Sequence, residues 1–157
     1  MKFEGIYTPI ITPYDDKGSI NFDAIEAIIE DLISSGVHGL VIAGTTGEYY
    51  AQDIDERLQL MKICKDVINN RLPYIVGTGA IRTEDSVFYA EEAAKIGADG
   101  ILIATPPYAL PTERENALHA LAIDRAANLP IILYNYPGRM GSMMGVEYLD
   151  RVGRSSN

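Results

Sequence analysis

A single cysteine, Cys64, occurs in 157 residues, and tryptophan is absent. One thiol cannot build an internal disulfide framework, and its presence fits a reducing compartment. Histidine is almost as scarce. His38 and His119 lie far apart in the chain, so no metal site of the usual ligand types is expected. Positive charge is the minority sign, with 13 Lys and Arg against 22 Asp and Glu and a formal net charge of −9. A nucleic-acid or anionic-membrane partner needs clustered Lys and Arg, so the balance argues against both. No apolar run approaches the roughly 20 residues that span a bilayer. The opening MKFEGIYTPIITPYDD lacks the apolar stretch and small-residue cleavage site of a signal peptide. The expectation is a cytoplasmic, metal-free domain of ordinary globular composition.

What is present is a strict alternation. Five short apolar runs begin at Ile6, Gly39, Tyr74, Gly100 and Ile131, each continuous rather than alternating in polarity. Such runs suit parallel strands covered on both faces. Amphipathic stretches separate them. Phe22, Ile25, Ile28, Ile29, Leu32 and Ile33 share one helical face, and Gly36 stands where a C-terminal glycine cap belongs. Asp53 and Glu56 have capping-box spacing ahead of Leu60, Met61, Cys64, Val67 and Ile68. A third helix is predicted from Thr83 to Gly97 with Val87, Ala90 and Ala94 inward. A fourth starts at Thr112 with Glu115 three residues on and turns Leu118, Leu121 and Ala122 inward. A fifth begins near Gly145 with Val146, Tyr148, Leu149 and Val152.

The pattern repeats itself. Ser35-Gly36-Val37-His38-Gly39-Leu40-Val41-Ile42-Ala43 returns as Ile96-Gly97-Ala98-Asp99-Gly100-Ile101-Leu102-Ile103-Ala104, and Leu72-Pro73-Tyr74-Ile75-Val76 returns as Leu129-Pro130-Ile131-Ile132-Leu133. Each echo skips one strand–helix unit, so units of about 30 residues recur. Alternation of this kind implies a parallel sheet with right-handed crossovers. Five units could form an open doubly-wound sheet, which the length favours, or the first five units of a (β/α)₈ barrel that usually needs about 250 residues.

The strand ends tip the choice toward the barrel, because loops at the C-terminal face of a barrel converge on one cavity. The second run ends in Gly44-Thr45-Thr46-Gly47-Glu48. Two glycines bracketing two hydroxyls let backbone N–H groups and both side chains approach an anion, although an ordinary glycine-rich turn carries the same residues. No dinucleotide fingerprint G-x-G-x-x-G follows any run. The fifth run ends in Tyr134-Asn135-Tyr136-Pro137-Gly138-Arg139. A tyrosine at a strand tip can shuttle a proton, and an arginine beyond a Pro-Gly turn can clamp a carboxylate. The plainer alternatives are a core aromatic and a surface charge. His38, His119 and the acidic cluster Asp53, Asp55 and Glu56 take structural readings, the last at a helix N-terminus.

Thr8–Pro13, Gly44–Glu48, Gly77-Thr78-Gly79, Thr105-Pro106-Pro107-Tyr108 and Tyr134–Arg139, in that order, resemble the dihydrodipicolinate synthase and N-acetylneuraminate lyase family over essentially the whole chain. The resemblance implies a (β/α)₈ TIM barrel of which residues 1–157 form about the first five βα units. It implies class I aldolase chemistry, in which a strand-six lysine forms a Schiff base with pyruvate or another 2-keto acid. Tyr134 would relay protons, held by Thr45, and Tyr108 from a neighbouring subunit would complete the relay in a homo-oligomer, dimer or tetramer. Thr46 and nearby N–H groups would bind the pyruvate carboxylate, and Arg139 the second substrate's carboxylate. No cofactor is implied.

Two departures shape the expectation. Lys2, Lys17, Lys62, Lys65 and Lys95 are the only lysines, and none ends a buried strand. The Schiff-base lysine is therefore missing, the chain reads as a fragment, and a keto-acid-binding remnant without turnover stands as the alternative. Ile81 and Pro107 replace an asparagine and a tyrosine usual in feedback-regulated synthases, which points toward catabolic sugar-acid or hydroxyproline-derived keto-acid relatives. Arg139 points back toward the synthases.

Overall fold

In the computed structural model, which describes residues 3–155, five strands form one parallel sheet in the order β1-β2-β3-β4-β5. They are β1 (Tyr7–Pro9), β2 (Gly39–Ile42), β3 (Tyr74–Gly77), β4 (Gly100–Ala104) and β5 (Ile131–Tyr134). Tyr7 pairs with Gly39, Leu40 with Tyr74, Ile75 with Gly100 and Ile101 with Ile131. A doubly-wound sheet reverses its strand order at a switch point. This order is sequential throughout, which makes the sheet a half-barrel. The helices are α1 (Phe22–Ser34), α2 (Ile54–Ile68), α3 (Thr83–Lys95), α4 (Glu113–Ala127), α5 (Pro137–Met140) and α6 (Val146–Val152).

The two-residue pleat sorts each strand. Leu40, Ile42, Tyr74, Val76, Ile101 and Ile103 join one core with Ile25 and Ile29 of α1, Leu60, Met61, Cys64 and Ile68 of α2, and Ala90 and Ala93 of α3. Val41, Ile75 and Leu102, one step out of phase, belong to the face turned away from the helices. Each fully buried aliphatic side chain contributes roughly 1.5–3 kcal/mol. Burial also pushes the Cys64 thiol up to about 12, so it stays protonated and inert.

The sequence echo has a structural meaning. α1 and α3 each end in a glycine at positive φ, Gly36 at +79° and Gly97 at +76°. Gly36 N donates to Ile33 O and Gly97 N to Ala94 O, which satisfies the last carbonyls the same way in both helices. α2 and α4 instead end on left-handed asparagines, Asn69 and Asn128. Both also start with a capping box, Asp53–Glu56 and Thr112–Glu115. His38 and Asp99, equivalent in the echo, do the same work. His38 Nδ1 accepts from Ile6 N at 2.9 Å, and Asp99 Oδ2 accepts from Tyr74 N at 2.9 Å.

Three expectations are corrected. Leu118 is 55% exposed, and α4 buries Asn116, Ala117, His119, Ala120 and Ile123 instead. α4 packs between α3 and α6, and His119 on its buried face meets Thr83 of α3. In α3 the inward alanine is Ala93, with Ala94 half-buried. In α6 Tyr148 is buried while Val146 is exposed.

Candidate functional site

All the strand-end motifs lie at the C-terminal end of the sheet. After β2, the chain turns at Ala43, with φ +54°, into Gly44–Gly47 and returns through Glu48, with φ +56°. Gly47 N donates to Gly44 O and Glu48 N to Thr45 O. The Thr45 and Thr46 amides donate to nothing among the described residues, which leaves two adjacent N–H groups beside two hydroxyls. Neighbours hold the turn from below. Thr12 Oγ1 donates to Gly47 O at 2.7 Å, and Gln52 Nε2 donates to the same carbonyl at 2.9 Å. The unit is a hydrogen-bonded turn whose Thr45 and Thr46 amides are unpaired among the described residues, suited to an anion.

The segment after β3, Gly77-Thr78-Gly79, has both flanking carbonyls bound by one side chain. Arg57 of α2 donates from Nη2 to Gly77 O at 2.6 Å and from Nη1 to Gly79 O at 2.8 Å. Its guanidinium carbon stands 3.8 Å from the centre of the Tyr89 ring and 5.1 Å from that of Tyr49. Burial lowers its pKa to about 10, so it remains a cation at neutral pH. Tyr49 is buried too. Its phenol is raised, mostly by desolvation, while the Arg57 charge lowers it and Tyr134 raises it. Neither Arg57 nor Tyr49 stood out as functional in the sequence. The available signal was a cation in the apolar stripe of α2, in helical phase with Leu60, Met61 and Cys64.

After β4, Thr105 is buried and accepts from Asn116 Nδ2 at 2.8 Å. His119, also on α4, donates to the Ala104 carbonyl and meets Thr83 Oγ1 through Nδ1 at 2.9 Å. Burial lowers the His119 pKa to about 4, so the ring is neutral and Nδ1 accepts the threonine proton. These contacts anchor the base of Thr105–Tyr108. Tyr108 itself is 91% exposed, at φ +70°.

β5 presents Tyr134 on the same face as Leu102 and Ile132, away from the helices. Its ring packs edge-on to Tyr136 at 6.2 Å, and Arg139 in α5 stands 5.8 Å from the Tyr136 ring centre. Tyr108 and Arg139 come together around a cavity of about 470 Å³ with Leu110, Met140 and Gly141. No hydrogen bond joins Thr45 to Tyr134 among the described residues. Lys17, Lys62, Lys65 and Lys95 lie in the first loop or on helices, and Lys2 lies outside the described residues. Among the described residues, no group of three or more His, Cys, Asp or Glu could hold a metal ion.

A sequential parallel half-barrel gathers hydroxyls, free amides and an arginine at its strand ends, the face at which βα-barrels collect their loops. Residues 2–157 match the model of the dihydrodipicolinate synthetase family, and the chain belongs to that family. It is 37% identical over 153 residues to 4-hydroxy-tetrahydrodipicolinate synthase of Lactobacillus acidophilus, covering 97% of this chain and 49% of that protein. Among solved structures it resembles the chloride-inhibited dihydrodipicolinate synthase of Acinetobacter baumannii complexed with pyruvate, at a TM-score of 0.93 and 35% identity, over 98% of this chain and 53% of that one. It also resembles CdNal of Clostridium difficile in complex with mannosamine, at a TM-score of 0.95 and 25% identity, over 99% and 54%. The chain spans about half the length of the relatives it matches.

Proposed function

We propose that these residues form the keto-acid-binding part of a pyruvate-dependent lyase, with the Thr45–Thr46 turn as the seat of the pyruvate carboxylate. The observation that supports this most is the pair of unpaired amides at Thr45 and Thr46, flanked by their own hydroxyls and held from below by Thr12 and Gln52. A carboxylate accepting from fixed backbone N–H groups gains charge-assisted hydrogen bonds at no reorganisation cost. Tyr134, on the inner face of β5, serves as proton relay, with Thr45 as its hydroxyl partner and Tyr108 of a second copy completing the path. Arg139 takes the carboxylate of the second substrate.

In the relatives' class of chemistry the keto carbon condenses with a lysine amine, and no described lysine stands at a strand end to do so. Within these residues the keto acid is therefore held without covalent capture. The test has two arms. Titration with pyruvate, followed by backbone NMR, should move the Thr45 and Thr46 amides first. Borohydride reduction in the presence of pyruvate should leave every lysine unmodified. Saturable shifts confined to other regions would sink the carboxylate assignment, and a pyruvyl adduct on Lys62, Lys65 or Lys95 would overturn the non-covalent reading.

A further inference from the structure

Arg57 has no carboxylate partner among the described residues, yet it is only 2% exposed. Burying an unpaired guanidinium is expensive, and an apolar side chain of similar volume would fill the same space without that cost. What the cation does here is specific. Its two Nη groups bind Gly77 O and Gly79 O, one on each side of Thr78. Gly77 is pressed against the start of the Thr45–Thr46 turn, and Gly79 against the Tyr49 ring that follows it. A Cβ on Gly77 would lie 2.3 Å from Ala43 O and 3.2 Å from Gly44 N, where the turn begins. A Cβ on Gly79 would lie 2.9 Å from the Tyr49 ring, two residues past Gly47, where the turn has ended. Tyr49 in turn lies under the guanidinium.

We propose that Arg57 is a positioning residue for the Thr45–Thr46 turn: it clamps the Gly77-Thr78-Gly79 backbone so that Gly77 braces the start of the turn and Gly79, with Tyr49, braces its end. The proposal rests on the reading of that turn as the carboxylate seat. Arg57 never touches the ligand, and its effect travels through the clamped Gly77–Gly79 backbone and the Tyr49 ring packed on it. Lysine cannot reproduce it, because one ammonium on a flexible stem does not present the parallel donors of a planar fork.

The experiment compares the 157-residue chain with Arg57→Lys and Arg57→Met, using Arg71→Met as a control that removes an exposed arginine paired with Glu30. The first readout is the backbone order parameter at Thr45, Thr46 and Glu48, with Ile25 and Ile29 of α1 as internal reference. Arg57→Met should drop the turn from the rigid range of about 0.85 to below about 0.6 while α1 stays rigid. Arg57→Lys should fall between, and Arg71→Met should leave the turn unchanged. The second readout is pyruvate affinity, expected to weaken roughly tenfold in Arg57→Met, equivalent to about 1.4 kcal/mol. A turn as rigid in Arg57→Met as in the parent, with unchanged affinity, would overturn the proposal, as would loosening shared equally with α1. If Arg57→Met does not fold, Arg57→Lys decides by the same criteria. If the parent does not bind pyruvate, the carboxylate reading fails, while the order parameters still decide whether Arg57 holds the turn.

Discussion

The two sides of the candidate site are built from the same kind of strand and end up in different environments. Every residue of β2 and β3 is buried, whereas every residue of β5 is only half-buried. The sequences do not explain this, since Ile131-Ile132-Leu133-Tyr134 is as apolar as Gly39-Leu40-Val41-Ile42. Position does. β2 and β3 have a paired strand on each side, while β5 is paired on one side only. The proposed carboxylate seat therefore grows out of the best-packed part of the sheet, beside a backbone segment clamped by a buried arginine. The proposed relay and second-substrate groups of the same chain, Tyr134 and Arg139, stand at the looser edge.

This contrast should be measurable. The largest expected effect is from cavity formation: Ile42→Ala should cost about 3–4 kcal/mol, and Leu133→Ala about 1–2 kcal/mol, because a half-buried side chain leaves a smaller unfilled volume. Urea denaturation of the two variants checks this. Equal losses would mean that β5 is covered in solution by something that the sheet itself does not provide.

Acid should separate the two sides as well. The folded-state pKa of His119, about 4, lies below its ordinary 6.5, so the unfolded chain binds the extra proton between those values. The stability this neutral ring contributes is complete above pH 6.5 and lost as pH falls toward 4, by up to about 3 kcal/mol. His119 supports the Thr105–Tyr108 segment through Ala104. The slope of stability against pH in that window should be flatter in His119→Gln by about one proton. A slope identical to the parent's would remove His119 from the account.

The smallest effect is one that should not distinguish the two sides. Asp53→Ala and Thr112→Ala each break a capping box at an exposed helix start, and each should cost about 1 kcal/mol. A clear inequality in thermal melts would show that one of these helices carries more of the tertiary packing than its cap geometry suggests.

Much of this was legible in the residues. The alternation of runs and amphipathic stretches marked five strands and the long helices between them, and glycine and capping-box punctuation marked several of their ends, because both periodicities and caps are local properties of the backbone. The echo of Gly36 in Gly97, and of Leu72-Pro73 in Leu129-Pro130, foretold that units two apart would be built alike. The strand-end motifs and the family resemblance together located the candidate groups.

Other features depended on contacts between distant segments. α4 turns inward the face on which Asn116 and His119 find Thr105 and Thr83, and Leu118 is left outside. That Arg57 reaches two glycine carbonyls 20 and 22 residues away could not be seen in local pattern. The sequence by itself determined the elements, their caps and the chemistry available at each strand end. Only the tertiary structure decided which of those groups would be braced and which left open, because burial and support come from neighbours in space, and a strand of a given composition is as rigid as the strands beside it allow.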